Sequence, residues 1–199
     1  AGMRRPTRGT VSISGMDAID GPMARSSICL LGTRRGLLER APLKDSLSLW
    51  EATRPRWNRQ EAEQYLDLFE VPAKTQPARL SQGQRSALDA VLALACHCPV
   101  LLLDEIQLGM DAVVRRAFWN ALLGLYVHER PTIIVSSHEV DDIEDLVEDV
   151  VVLQHGGIAA ATSADELRAA ATAPDAPLAS LTDALVDMTG PDHTASATH

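Results

Sequence analysis

Residues 100–103 form an unbroken apolar run, Val-Leu-Leu-Leu, that ends in two adjacent carboxylates, Asp104 and Glu105. This run narrows the possible folds more than any other segment, because a short continuous apolar stretch is typical of a strand buried on both faces. After residue 80 the pattern alternates, and the predicted elements are helix 84–96, strand 100–104, helix 112–127, strand 132–136, helix 139–147 and strand 149–154. The alternation predicts an α/β fold whose parallel sheet is covered by helices on both faces.

Shorter patterns organise the N-terminal part of the chain. Alternating apolar residues predict one strand at 10–14, and a second strand is predicted at 27–31. Between residues 42 and 69 the apolar positions recur at helical spacing and predict two amphipathic helices.

The C-terminal part contains one strongly acidic segment. Residues 139–149 carry seven carboxylates in eleven positions, which we interpret as a solvated helix face. A hairpin is expected at 155–157, and Ser163 and Glu166 have the spacing of a capping box that begins a helix. Residues 170–199 predict one short helix, at 179–188, within a mostly disordered tail.

Composition excludes several classes of function. A chain of 199 residues that is 46% hydrophobic can bury one sizeable core, and its net charge of −9 argues against a nucleic-acid binder. No apolar run approaches the roughly 18–20 residues that cross a bilayer. The three cysteines are an odd number, which fits a reducing cytoplasm better than a disulfide framework. Cys96-His97-Cys98 is interpreted as a helix end, because three adjacent ligands cannot all point at one metal ion.

Two motifs carry the predicted chemistry. Asp104 and Glu105 end a strand, and open α/β sheets bind ligands beyond the carboxyl ends of their strands. An alternative is that these two acids cap the helix that follows. The segment Ser81-Gln82-Gly83-Gln84 opens a helix whose N-terminus would point at an anion, with a hydroxyl from Ser81 and close backbone approach at Gly83. The alternative is a simple N-cap by Ser81, although a cap alone is expected to require neither the glycine nor Gln84.

The order of these two motifs resembles the ATP-binding domain of ABC transporters, of the bacterial exporter type. The resemblance implies a P-loop NTPase-like parallel sheet with flanking helices and a helical signature subdomain, N-terminally incomplete. It further implies four regions: a remnant of the ATPase core with antiparallel strands and the Q-loop at 1–41, the helical signature subdomain at 42–95, the ATPase core with Walker B, D-loop and H-loop at 96–168, and a C-terminal tail at 169–199.

The resemblance also implies a role for each motif residue. Asp104 would hold Mg²⁺ through the water shell of the metal, Glu105 would polarise the attacking water, and His138 would contact the γ-phosphate of ATP. Across a dimer interface, the ATP of the partner subunit would meet four residues: Ser81, Gly83, Gln84 and Asp111.

Some family features are missing from the printed sequence. The phosphate loop Gly-x-x-x-x-Gly-Lys-Ser/Thr (Walker A) does not occur in it, so we expect the chain to begin just after that loop. No glutamine stands near Gly32-Thr33, where the Q-loop is expected. Ile106 replaces the proline that usually follows the catalytic glutamate, and Gln107 comes next.

The implied function is ATP binding and hydrolysis, with ATP and Mg²⁺ as cofactors, in a subunit that powers transport through a membrane permease. Its partners would be a second ABC-type subunit, identical or different, and the transmembrane permease, but no nucleic acid. The chain would be cytoplasmic and peripheral on the inner face of the cell membrane. One alternative is a catalytically inactive relative that lends its signature motif to a partner ATPase, and a more distant one is a soluble interaction module. Alone, the chain is expected to show no measurable ATPase activity.

Overall fold

The computed structural model describes residues 3–19, 21–32, 36–138, 140–174 and 176–189. The chain divides into two compact units, Ala1–Ser137 and His138–His199, and each is described by itself. The expected position of the Q-loop glutamine, beyond Gly32, and the last ten residues of the expected tail lie outside the described residues. In the part of the chain that is described, no helix is both long and apolar enough to span a membrane.

A parallel sheet of three strands lies in the first unit. Its strands are β3 (Ile28–Leu31), β4 (Val100–Asp104) and β5 (Thr132–Ser136), with β4 in the centre. The apolar run of β4 alternates between buried and half-buried residues, as expected for a central strand with neighbours on both sides. The predicted parallel sheet and the predicted strands 100–104 and 132–136 are confirmed.

Two short strands and a one-turn helix precede this sheet. Strands β1 (Ser12–Ile13) and β2 (Met16–Asp17) form an antiparallel hairpin, and α1 (Pro22–Ser26) follows. The strand predicted at 10–14 is therefore shorter than expected, because the chain turns at Ser14-Gly15, both with positive φ.

Four longer helices lie in the described part of the first unit, and one of them is buried along most of its length. They are α2 (Leu43–Thr53), α3 (Arg59–Leu68), α4 (Gln82–Ala95) and α5 (Ala112–Glu129). Every residue of α4 from position 86 onward is buried, because this stretch is apolar on almost all sides and packs against α3, α5 and β3.

Aromatic side chains join the helices. Phe69, just after α3, meets Phe118 of α5 edge to face, with ring centroids 6.5 Å apart. Phe118 in turn contacts Trp119 at 4.7 Å. The two phenylalanines are almost fully buried, so this contact fixes α3 against α5 in the core.

The second unit combines a hairpin with two helices. Strands β6 (Asp149–Gln154) and β7 (Gly157–Ser163) pair antiparallel around His155-Gly156, which confirms the expected hairpin. Ser163 and Glu166 form the expected capping box at the start of α6 (Ala164–Ala171). The last helix, α7 (Leu181–Thr189), packs on α6 and lies close to the predicted position.

The predicted helix at 139–147 is wrong. Within the described residues this stretch consists of turns and a single 3₁₀ turn at Glu144–Leu146. Its acids are used elsewhere: the Glu144 carboxylate accepts a hydrogen bond from the backbone N–H of Leu181 at 2.8 Å, and Asp141 accepts one from the Thr182 hydroxyl. The helix is therefore absent from the described residues, whereas the acids stay largely solvated as expected: Asp141, Asp142 and Asp145 are exposed, and Glu144 is half-buried.

Candidate functional site

Asp104 lies at the carboxyl end of β4, between the ends of its two neighbours. It is exposed, and the hydroxyl of Ser136, its partner on β5, donates a hydrogen bond to its carboxylate. On the other side Gly32 follows β3 with φ +148°, and a Cβ placed there would lie 2.8 Å from the Cβ of Asp104. The neighbouring strands thus hold the backbone of Asp104 in place and leave its carboxylate exposed to solvent.

Glu105 turns the chain sharply away from the sheet. Its φ is +50°, in the left-handed region that residues other than glycine rarely adopt, and its backbone N–H donates to the carbonyl of Ser136 at 3.1 Å. The alternative that the two acids cap the next helix is wrong, because α5 begins at Ala112 and Asp111 is its N-cap. The acidic pair therefore lies at the end of β4 and does not cap α5.

Residues 81–84, the signature segment, begin α4 with a complete capping box. The Ser81 hydroxyl accepts from the N–H of Gln84 at 3.2 Å, and the side chain of Gln84 accepts from the N–H of Ser81 at 3.1 Å. The expectation that the cap has no use for Gln84 is therefore wrong, since Gln84 is half of the box. The N-cap interpretation of Ser81 is confirmed, and it is compatible with a binding role because Ser81 remains exposed.

Gly83 lets α4 touch the loop that follows β4. A Cβ at Gly83 would lie 2.2 Å from the carbonyl oxygen of Gly109, and Gly109 itself has φ +77°. One turn further along, the Ser86 hydroxyl donates to the carbonyl of Leu108 at 2.7 Å. The signature segment and this loop are thus one packed structure, for which glycine is required at both contact points.

An open cavity of about 230 Å³ lies where this packed structure meets the start of α5. Asp111 accepts hydrogen bonds from the N–H groups of Val113 and Val114, both at 2.9 Å, so the N-termini of α4 and α5 both face this region. The cavity is lined by Phe69, Glu70, Ser81, Gly83, Gln84, Ala87, Gly109, Met110, Asp111 and Val114.

All four residues predicted to meet ATP across a dimer interface line this cavity, whereas Asp104 and Glu105 do not. The chain therefore presents two separate groups of candidate residues. Phe69 and Glu70 were not expected at the site. Glu70, with φ +55° just after α3, occupies a conformation that the sequence pattern does not reveal.

His138 follows β5 and is exposed, as the first residue of the second unit. The residue before it, Ser137, accepts a hydrogen bond from the side-chain amide of Gln107. Gln107 is only 2% exposed and was not among the predicted site residues. No local sequence signal indicates this bond, because its partners are thirty residues apart.

Comparisons with known proteins identify the family and the fold. A family model described as "ABC transporter" matches residues 1–107. The daunorubicin resistance ATP-binding protein DrrA3 of Streptomyces coeruleorubidus is 30% identical over 172 residues, which cover 83% of this chain and 54% of the relative. The chain spans about half the length of the curated relatives that it matches.

Two solved structures share the fold. One, described as the ATP binding subunit of an ABC transporter, superposes with a TM-score of 0.80 at 24% identity and covers 94% of this chain and 79% of that chain. The other is a dimeric ATP-binding cassette in a post-hydrolysis state with ADP and Pi, with a TM-score of 0.69 at 20% identity, covering 81% of this chain and 75% of that chain. These likenesses confirm the predicted fold class.

Proposed function

Since the chain belongs to the ABC transporter family, we propose that it is the ATP-binding and ATP-hydrolysing subunit of a bacterial transporter and powers transport through a membrane permease. The observation that carries this proposal is the cavity at the start of α4, which gathers Ser81, Gly83, Gln84 and Asp111. A second ABC-type subunit, identical or different, would supply the rest of each ATP site. The chain would act in the cytoplasm, held at the inner face of the membrane by the permease.

The cavity fits a phosphate group chemically. Backbone N–H groups at a helix N-terminus, with the positive end of the helix dipole, favour an anion. Gly83 lines the cavity at this N-terminus, packed against the Gly109 carbonyl, and the Ser81 hydroxyl is exposed nearby. The charge of Asp111 is offset by the two N–H groups that it caps. These residues would bind the terminal phosphate of an ATP held by the partner.

The strand-end acids fit a hydrated magnesium ion and a water-activating base. Asp104 is exposed, and a single carboxylate is sufficient for Mg²⁺, which keeps most of its own waters. Mg²⁺ would neutralise phosphate charge during hydrolysis. In this proposal Glu105 orients and polarises the attacking water, and His138 contacts the γ-phosphate.

A second candidate function is that the chain hydrolyses nothing and lends its signature to a partner ATPase. It is favoured by the cavity itself, which gathers Ser81, Gly83, Gln84 and Asp111 whether or not the chain hydrolyses ATP. In this case Ser81 would contribute to ATP turnover and Glu105 would not.

The test uses the complex purified from the host membrane through a tag on this chain, with Mg²⁺-dependent ATP turnover as the readout. Under the main proposal both Glu105→Gln and Ser81→Ala lower turnover by about tenfold or more. Under the second candidate only Ser81→Ala does so. Ser163→Ala is the matched control, because it removes the same kind of capping box from α6 and leaves the cavity intact. Both candidate functions would be overturned if the purified complex contained no permease or did not turn over ATP. Both would also be overturned if Ser81→Ala and Ser163→Ala changed turnover equally.

A further inference from the structure

Gln107 is an unusual residue for its surroundings. It is 2% exposed, next to Ile106 at 1%, and among the described residues it is one of four buried polar side chains. Two of the others are well bonded: the Ser46 hydroxyl accepts from the N–H of Leu38 at 3.0 Å, and Ser86 donates to Leu108. The carboxamide of Gln107 is bonded at only one of its two ends.

The bonded end of Gln107 is its amide nitrogen, which donates to the hydroxyl of Ser137. The other end, Oε1, is buried and has no hydrogen-bond partner among the described residues. Rotating the carboxamide by half a turn would exchange its two ends and leave the nitrogen unpaired instead. A buried polar atom without a partner costs stability, so an apolar side chain of similar size would be the more stable choice here.

The bond from Gln107 is the last of three that join the end of β4 and the loop after it to the end of β5. Ser136 donates from its hydroxyl to Asp104 and accepts at its carbonyl from the N–H of Glu105 at 3.1 Å. Gln107 then holds Ser137, the last residue of the first unit. The next residue of the chain is His138.

We propose that Gln107 is a positioning residue: its buried amide fixes Ser137, and through it the backbone from which His138 departs, to the loop that carries Glu105. The inference rests on the proposed function for the roles of Glu105 and His138. Gln107 touches no reacting group and acts only through Ser137. The unpaired oxygen of Gln107 then lowers stability, and in return its amide holds the loop after β4 against Ser137.

The alternative is that Gln107 only fills space beside Ile106. Gln107→Met separates the two roles, because methionine has nearly the same length and flexibility but no hydrogen-bonding amide. Ser137→Ala removes the other partner of the bond, and Ser137→Thr keeps a hydroxyl at this position.

The experiment is hydrogen–deuterium exchange of the full chain, read in the peptides that cover residues 136–142, together with thermal melting. Gln107→Met and Ser137→Ala are each expected to raise exchange in this window by about fivefold, the effect of one lost hydrogen bond. The melting temperature of Gln107→Met should be unchanged or higher, and Ser137→Thr should restore slow exchange. Ser46→Ala, which loses a buried hydrogen bond elsewhere, should leave residues 136–142 unaffected.

Unchanged exchange at 136–142 in both variants would overturn the proposal. A lower melting temperature for Gln107→Met with faster exchange throughout the first unit would also overturn it, since Gln107 would then be a packing residue. In the purified complex, Gln107→Met should lower kcat and leave KM for ATP unchanged. If the wild-type complex does not turn over ATP, the proposed function fails, and the exchange data still decide the role of Gln107.

Discussion

At the scale of single residues, the contact between Gly83 and Gly109 sets the position of the signature segment. Because a Cβ at Gly83 would lie 2.2 Å from the Gly109 carbonyl oxygen, Gly83→Ala must push α4 away from the loop. We expect a loss of about 1–3 kcal/mol in the free energy of unfolding, typical of overpacking, measured by urea denaturation.

Gly124 provides the control for this substitution. It lies inside α5, and a Cβ added to it would meet no atom within 4 Å. Gly124→Ala should therefore stabilise the protein by about 0.5–1 kcal/mol, because alanine favours the helix and crowds no neighbour. Destabilisation of similar size by both substitutions would contradict a specific role for the contact at Gly83.

The buried thiols predict how stability depends on pH. A hydrogen bond with Cys29 and burial raise the pKa of the Cys96 thiol, and a hydrogen bond with Cys96 and burial raise the pKa of the Cys98 thiol. In the unfolded chain these thiols ionise at about pH 8.5, so the unfolded state loses protons first and the free energy of unfolding falls as pH rises through that value. Urea denaturation at about pH 7 and about pH 10 should show this fall in the wild type. The fall should be smaller in the double variant Cys96→Ala, Cys98→Ala, and equal falls would contradict the prediction.

At the scale of elements, the sequence predicts the strands better than the connections. The bounds of β4 and β5 were predicted to the residue, because continuous apolar runs end abruptly at polar residues. Helix α4 begins two residues earlier than predicted, since its capping box starts at Ser81. The helix predicted at 139–147 is absent from the described residues, where Asp141 and Glu144 bond to the start of α7. Contacts with a distant segment leave no local pattern.

The same distinction explains what could be predicted of the site. Ser81, Gly83 and Asp111 stand in recognisable motifs, and they do line one cavity. Phe69 reaches the same cavity only because it packs against α5, and Gln107 is revealed only by its bond to Ser137. The positions of these two residues depend on tertiary packing, which neither a motif nor a periodicity in the sequence reveals.

The docking of α7 gives a prediction at this scale. Thr182→Val combined with Glu144→Gln removes one hydrogen bond and weakens another at the start of the helix. Leu181 and Ala184, in the apolar cluster that α7 shares with α6, would then be held less firmly. We expect a local loss of about 1–3 kcal/mol, measured in the full chain as faster amide exchange in α6 and α7.

Val186 gives the matched control on the same helix. Its side chain is 61% exposed, so Val186→Thr should leave amide exchange in α6 and α7 unchanged. Faster exchange in this control, or none in the double variant, would mean that the bonds to Asp141 and Glu144 do not hold α7.

At the scale of the whole molecule, the two groups of candidate residues do not form a single site. The signature cavity opens at the start of α4, and the acidic pair is not part of its lining. Under the proposed function, this division would follow from ATP sites that a second subunit completes.

The isolated chain should therefore show no measurable ATPase activity, even when it is folded. The printed sequence has no phosphate loop to cradle the β- and γ-phosphates, and Asp104 and Glu105 alone offer only negative charge to an anionic nucleotide. The measurement is phosphate release from Mg·ATP by the purified 199-residue chain, with cooperative thermal melting to show that it is folded. Steady Mg²⁺-dependent turnover that Glu105→Gln abolishes would contradict this, because the acidic pair would then support hydrolysis without a partner. Turnover that Glu105→Gln leaves unchanged would instead indicate a contaminating ATPase.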